Sequence, residues 1–197
     1  MERESLLQNL HDKKGEWNEM ITKSAEMEAR ALDGVVELMA LAARTAPKGK
    51  GVDNLAVIAV RAKAKDQLAA EMRRILKEDG GLPHFERDAG NVDKAPVVLI
   101  LGQRVKPLGT KPCGFCGYKD CEENIRNSGL CAISIGDLGI AIGSAVSVAA
   151  AHHVDNRIMF SAGKAALNLN LFDDNQVKIA YGIPLSVSGK SPFFDRG

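Results

Sequence analysis

Apolar positions recur at helical spacing in the first part of the chain. Residues 1–46 read as helical. Strong helix formers run from Glu19 to Ala43, with Val35, Leu38, Met39 and Ala42 on one face at i, i+3, i+4 and i+7. Pro47, Gly49 and Gly51 end that helix in a basic, glycine-rich turn, 44–51. Asp53 or Asn54 is then placed to cap a second helix over 53–78, which stops at Gly80-Gly81. Residues 82–94 are polar and predict one short helical turn at most. Pro96–Leu101 is continuously apolar and of strand length, the pattern of a strand buried on both faces. A Gly-, Pro- and Cys-rich loop occupies 105–131. The segment 138–151 predicts a helix that is apolar nearly all round, with Asp137 as its N-cap and His152-His153 at its end, where cationic side chains suit the helix dipole. Gly139, Gly143 and Ser147 make one face of it bare. Tight core packing is the expected use, with another helix, a sheet or a flat ligand as alternatives. A helix over 161–169 and an alternating strand over 177–183 follow, then a polar tail carrying Lys190 and Arg196.

Composition narrows the class. The chain has 197 residues and is 45% hydrophobic and 26% charged, which excludes a disordered chain and allows a core without disulfide staples. Its net charge of +1 gives no global field for nucleic acid or an anionic membrane, so neither is expected as a partner. Aromatics are 5% of residues and glycines number 19, so the core must be aliphatic and closely packed. The start, Met1-Glu2-Arg3-Glu4-Ser5, lacks an apolar leader region. The longest apolar run, 138–151, falls short of the roughly 20 residues of a spanning helix. The expectation is a cytoplasmic protein, in which cysteines stay reduced and clustered cysteines point to metal or redox chemistry.

All four cysteines lie in one short stretch: Cys113, Cys116, Cys121 and Cys131, in the pattern C-x2-C-x4-C-x9-C. Four thiolates are the ligand set of a [4Fe–4S] cluster or of a structural zinc. A zinc framework commonly pairs two C-x2-C knuckles. Here only Cys113/Cys116 form one, and the longer second half suits a loop wrapped round a cube. Zinc, reduced thiols and a dithiol at Cys113/Cys116 are the other readings. Gly114 and Gly117 each follow a cysteine, where glycine permits a tight loop with N–H groups turned towards cluster sulfurs. Lys111 and Lys119 offset local negative charge. No Ser-His-Asp set or paired-carboxylate motif appears, so no catalytic side chain is named.

Two resemblances carry the reading further. Leu108-Gly109-Thr110-Lys111-Pro112-Cys113-Gly114-Phe115-Cys116-Gly117-Tyr118-Lys119-Asp120-Cys121 resembles the small four-cysteine iron–sulfur domain of corrinoid and electron-transfer proteins. In that family the fourth cysteine lies further downstream and precedes a proline, whereas here Cys131 precedes Ala132. The wider order is a long helix ending in Arg44-Thr45-Ala46-Pro47-Lys48, a buried strand at 95–101, an apolar helix after Asp137, and a strand ending Tyr181-Gly182-Ile183-Pro184. It resembles the nitroreductase family over most of 24–196, and within it the ferredoxin-domain-containing proteins.

The resemblance implies an α+β, nitroreductase-like domain over 1–197, with helices around a small central sheet and a metal-binding insertion at 105–133. It implies a homodimer with FMN at the subunit interface. The FMN phosphate would be gripped by Arg44, Thr45 and Lys48, with Lys190 or Arg196 supplying the distal charge; Ala46 stands where the family carries serine. The function so implied is a flavin-dependent oxidoreductase or electron-transfer protein carrying a [4Fe–4S] cluster, served by a nicotinamide donor or a redox partner protein. The alternative is a non-enzymatic iron–sulfur or zinc module on a frame that has lost its flavin.

Overall fold

The computed structural model describes Trp17 and residues 20–194. The N-terminal part of the expected first helix, and Arg196, lie outside the described residues. By its internal contacts the chain divides into Met1–Gly34 and Val35–Gly197. The described end of the first unit is helical from Ser24, and that helix, α1 (Ser24–Thr45), continues into the second.

In the second unit a four-stranded, wholly antiparallel sheet in the order β1-β2-β4-β3 is surrounded by helices, an α+β arrangement as expected. Its strands are β1 (Leu55–Arg61), β2 (Val97–Arg104), β3 (Asp155–Asn156) and β4 (Val177–Ser186). The helices are α2 (Ala62–Glu78), α3 (His84–Lys94), α4 (Cys121–Arg126), α5 (Ala132–Ala151) and α6 (Phe160–Asn168).

The expected helix over 53–78 is corrected. Its first part is strand β1, paired with β2 in the register Ile58↔Ile100 and Val60↔Val98. Asp53 caps no helix; its Oδ1 accepts the Leu55 N–H at 3.2 Å. Val57, Ile58 and Val60 are β-branched residues that favour a pleated surface. The chain turns from strand to helix without glycine or proline, through Ala62 at φ +46°. Residues 84–94 likewise form a full helix rather than one turn, burying Phe85, Ala89 and Val92.

On α1 the buried stripe is Val35, Val36, Met39 and Ala43, while Leu38 of the expected face is exposed. Strand β2 is buried on both faces, as its apolar run predicts. Val98 and Ile100 join Leu68, Met72, Phe85, Met159 and Ala165 in a largely aliphatic core, with Phe172 packed half-buried against it. The alternate residues Leu99, Leu101 and Gln103 point the other way, where Gln103 Nε2 donates to Ser134 Oγ of α5 at 3.1 Å. Helix α6 lies directly on β4: a Cβ at Gly163 would fall 1.9 Å from the Ala180 carbonyl oxygen, so only glycine fits there.

Helix α5 corrects three expectations. It begins at Ala132, immediately after the last cysteine, so its 20 residues do have the length and composition of a membrane span. Seven of them, Ser134 and Asp137 among them, are packed inside the protein. Asp137 is therefore not an N-cap. The bare face at Gly139, Gly143 and Ser147 does not pack into the core: it is exposed, and a Cβ at Gly139 or Gly143 would meet nothing within 4 Å.

Candidate metal centre

The cysteine segment leaves the sheet at the end of β2 and returns to the fold at α5. The Lys111–Pro112 peptide is cis, and Gly114 and Gly117 stand at φ +78° and +83°, the left-handed conformation that favours glycine. The Gly117 N–H closes the knuckle by donating to the Gly114 carbonyl at 3.0 Å. Asp120 then caps α4. Its Oδ1 accepts the Glu123 N–H at 2.9 Å, while Glu123 Oε2 accepts the Lys119 N–H at 2.7 Å, a reciprocal capping arrangement. The Glu123 N–H bond holds the Asp120 carboxyl below its ordinary range, against the opposing effect of burial. This cap fixes Cys121 at the first position of α4.

Asn124, which no sequence signal singles out within the polar run Glu122-Glu123-Asn124, closes the rest of the loop. Its Nδ2 donates to the Leu130 carbonyl at 3.2 Å, and its own carbonyl accepts the Gly129 N–H at 2.8 Å. Together these contacts hold the approach to Cys131, which is 7% exposed and stands as the residue before α5.

All four cysteines are free, and all four line one cavity of about 480 Å³, with Thr110, Lys111, Pro112, Lys119, Glu122 and Asn124 on its walls. Among the described residues no three His, Cys, Asp or Glu side chains converge closely enough to grip a single ion. Lys111 and Lys119 place positive charge on the wall of a site that four thiolates would make strongly negative. Phe115, between the first two cysteines, is 79% exposed.

The residues expected to grip a flavin phosphate lie elsewhere and are engaged within the chain. Arg44 Nη1 donates to Asp53 Oδ2 at 2.6 Å and to the Leu55 carbonyl at 2.9 Å. Lys48 Nζ donates to the Ala46 carbonyl at 3.0 Å and to the Arg44 carbonyl at 2.5 Å, and stands 3.9 Å from Asp53 Oδ1. Thr45 Oγ1 donates back to the Leu41 carbonyl at 3.1 Å. Lys190 is exposed in the polar tail, where its carbonyl accepts the Ser188 hydroxyl. Burial acts to raise the Asp53 pKa, but the Arg44 hydrogen bond, the Leu55 N–H and the charges of Arg44 and Lys48 outweigh it and hold the carboxyl below its ordinary range. Asp137 is a second acid at this turn: its Oδ1 accepts the Gly49 N–H at 2.9 Å, and its buried Oδ2 has no partner.

Residues 127–196 match the family described as "Uncharacterized protein containing a ferredoxin domain", a stretch that includes Cys131 and begins after the other three cysteines. The chain is 38% identical over 167 residues to an uncharacterized protein of Archaeoglobus fulgidus, covering 81% of this chain and 88% of that one. The fold is similar to that of a nitroreductase with bound FMN from Desulfitobacterium hafniense, with a TM-score of 0.56, 17% identity and 81% of each chain covered. It is also similar to the FMN-dependent nitroreductase NfnB of Mycobacterium smegmatis in complex with NADPH, with a TM-score of 0.53, 15% identity, and 82% and 81% covered. The fold is nitroreductase-like.

Proposed function

Because this chain belongs to the family of uncharacterized proteins containing a ferredoxin domain (DUF2148), we propose that it is an electron-transfer protein whose Cys113, Cys116, Cys121 and Cys131 hold a [4Fe–4S] cluster. One observation carries the reading: all four thiols of the chain line a single cavity of about 480 Å³. A tetrahedral zinc with Zn–S bonds of about 2.3 Å would draw its four sulfurs to within about 3.8 Å of one another. A cube takes each thiolate on a different iron, so its ligands ring a volume instead of meeting at a centre.

When bound, such a cluster supplies one-electron chemistry at a potential set by charge, hydrogen bonding and solvent access. The chain's own part is to present the thiolates, to turn the knuckle through Gly114 and Gly117, to balance charge with Lys111 and Lys119, and to keep water from Cys131. A cytoplasmic setting, in which thiols stay reduced, suits this chemistry. Purification without oxygen, with iron, sulfide, zinc and flavin quantified together, tests the reading. Iron and acid-labile sulfide in equal amounts, near four of each per chain, are expected. One zinc per chain without sulfide would overturn it.

A second reading adds FMN and a nicotinamide hydride donor, making the chain an oxidoreductase in which flavin and cluster exchange electrons. The likeness of fold to FMN nitroreductases favours it. Flavin released by acid extraction of the same preparation would support this reading and overturn the inference drawn below for the turn at 44–53.

We also propose a homodimer built on α5. Gly136, Gly139, Ile140, Gly143 and Ser147 form one exposed face of an otherwise packed helix, and small residues there let a second copy of the helix approach closely. Sedimentation at the mass of a single chain would refute it.

A further inference from the structure

We infer that the turn from Arg44 to Asp53, where a nitroreductase-like frame would seat the FMN phosphate, serves in this chain as an internal brace for the cysteine segment and holds no phosphate. A phosphate grip needs cations and N–H groups that are free to turn on an anion. Here the Arg44, Thr45 and Lys48 side chains each already bond within the chain, although Arg44 does so through Nη1 alone. Arg44 spans Asp53 and the Leu55 carbonyl. The Lys48 ammonium carries three hydrogens; two are directed to the Arg44 and Ala46 carbonyls, and Asp53 Oδ1 stands 3.9 Å away. The Lys48 side chain is only 7% exposed, so turning it to solvent would break these contacts. The Thr45 hydroxyl is bonded back into α1.

Part of the backbone is engaged as well. Pro47 has no N–H. The Gly49 N–H goes to Asp137, the Gly51 N–H to the Lys48 carbonyl and the Val52 N–H to the Gly49 carbonyl. An incoming dianion would also meet the carboxylates of Asp53 and Asp137, both already at this turn. The turn fits a flavin phosphate poorly: its lysine and threonine are spent internally and two carboxylates face any anion that enters.

The same turn touches both ends of the cysteine segment. A Cβ built on Gly49 would lie 2.6 Å from Leu108 Cδ1, 3.0 Å from Ile133 Cγ2 and 3.5 Å from Asp137 Oδ2. Leu108 is buried just ahead of the first cysteine, and Ile133 follows Cys131 at the start of α5. Gly49 is thus wedged between the segment that enters the loop and the helix that leaves it, and Asp137 ties it down by a bond across 88 residues. The importance of that spacing for electron transfer rests on the cluster reading; the brace itself does not.

Two measurements on the full chain test the inference. In the first, FMN is titrated into the protein and followed by flavin fluorescence. No saturable binding is expected, and Arg44→Gln should behave as the unchanged protein. One-to-one binding that Arg44→Gln weakens tenfold or more would overturn the phosphate half. In the second, thiol labelling of Cys131 is timed by mass spectrometry after chelation of any metal. Asp137→Ala, which removes the acceptor of the Gly49 N–H, should label several-fold faster. Asp137→Asn, which keeps an Oδ1 acceptor, should restore the original rate. Gly49→Ala should behave like Asp137→Ala, with circular dichroism confirming that each variant is folded. Equal labelling rates in all four proteins would overturn the brace. Failure of the cluster reading would show separately, as absence of iron from the unchanged protein.

Discussion

Cys131→Ala separates two effects of very different size. Cys131 is nearly buried at the foot of α5 and makes no disulfide. As a packing element it contributes one buried sulfur, and deletion of one such atom costs about 1 kcal/mol. For a chain of this length that is about 2–4 °C in melting temperature. As a cluster ligand it contributes far more. A group that binds only the native state, present at about a thousandfold excess over its dissociation constant, stabilises by roughly 4 kcal/mol, or about 8–16 °C. The metal-free variant should therefore melt within about 4 °C of the metal-free original protein. The reconstituted variant should lose most of the rise in melting temperature that reconstitution gives the original, and its iron should fall below the original content. Differential scanning calorimetry of both proteins, with and without reconstitution under nitrogen, reads both quantities. Wild-type iron and the full rise in the variant would refute Cys131 as the fourth ligand.

Three further outcomes follow from the described contacts. Ser161→Ala strips the partner from Asp88 Oδ2, a 2.6 Å bond in the buried core, while Arg87 keeps only Oδ1; a loss of about 1–3 kcal/mol in urea denaturation is expected, and an unchanged midpoint would contradict it. The Gln176 N–H and then Arg104 hold Asp174 below its ordinary carboxyl range, so its contribution to stability is full above the unfolded value near pH 4 and fades as pH falls through the lower folded value. Asp174→Asn should accordingly be less stable than the original at pH 7, and denaturant midpoints should show the gap closing in acid; a gap that widens in acid would refute the assignment. Gly143→Glu places a charge at the centre of the exposed α5 face, where a Cβ meets nothing within the chain, and should convert a dimer to a monomer in sedimentation without changing the melting of the monomer.

What could be read from the sequence, and what could not, divides along a physical line. The four-cysteine segment was legible because residue type carries its chemistry: thiols at close spacing and glycines at φ +78° and +83° announce a wrapped site in any context. Strand β2 was legible because a run buried on both faces has no periodicity to misread. Strand β1 was not, because Leu55–Arg61 passes into α2 at Ala62 without a breaker, and what makes it a strand is its pairing with residues some forty positions away. The partners of the turn at 44–53 were out of sight for the same reason. Arg44, Lys48 and a glycine-rich stretch look like a phosphate grip while the acids that engage them are out of view. Asp53 reads locally as a helix cap, and Asp137 as the start of a helix that in fact begins at Ala132. A basic motif is a statement about donors, and whether those donors are available depends on acceptors that only the folded chain brings to them. The four cysteines are free of disulfides and line one cavity, so their chemistry depends less on acceptors that only the fold supplies.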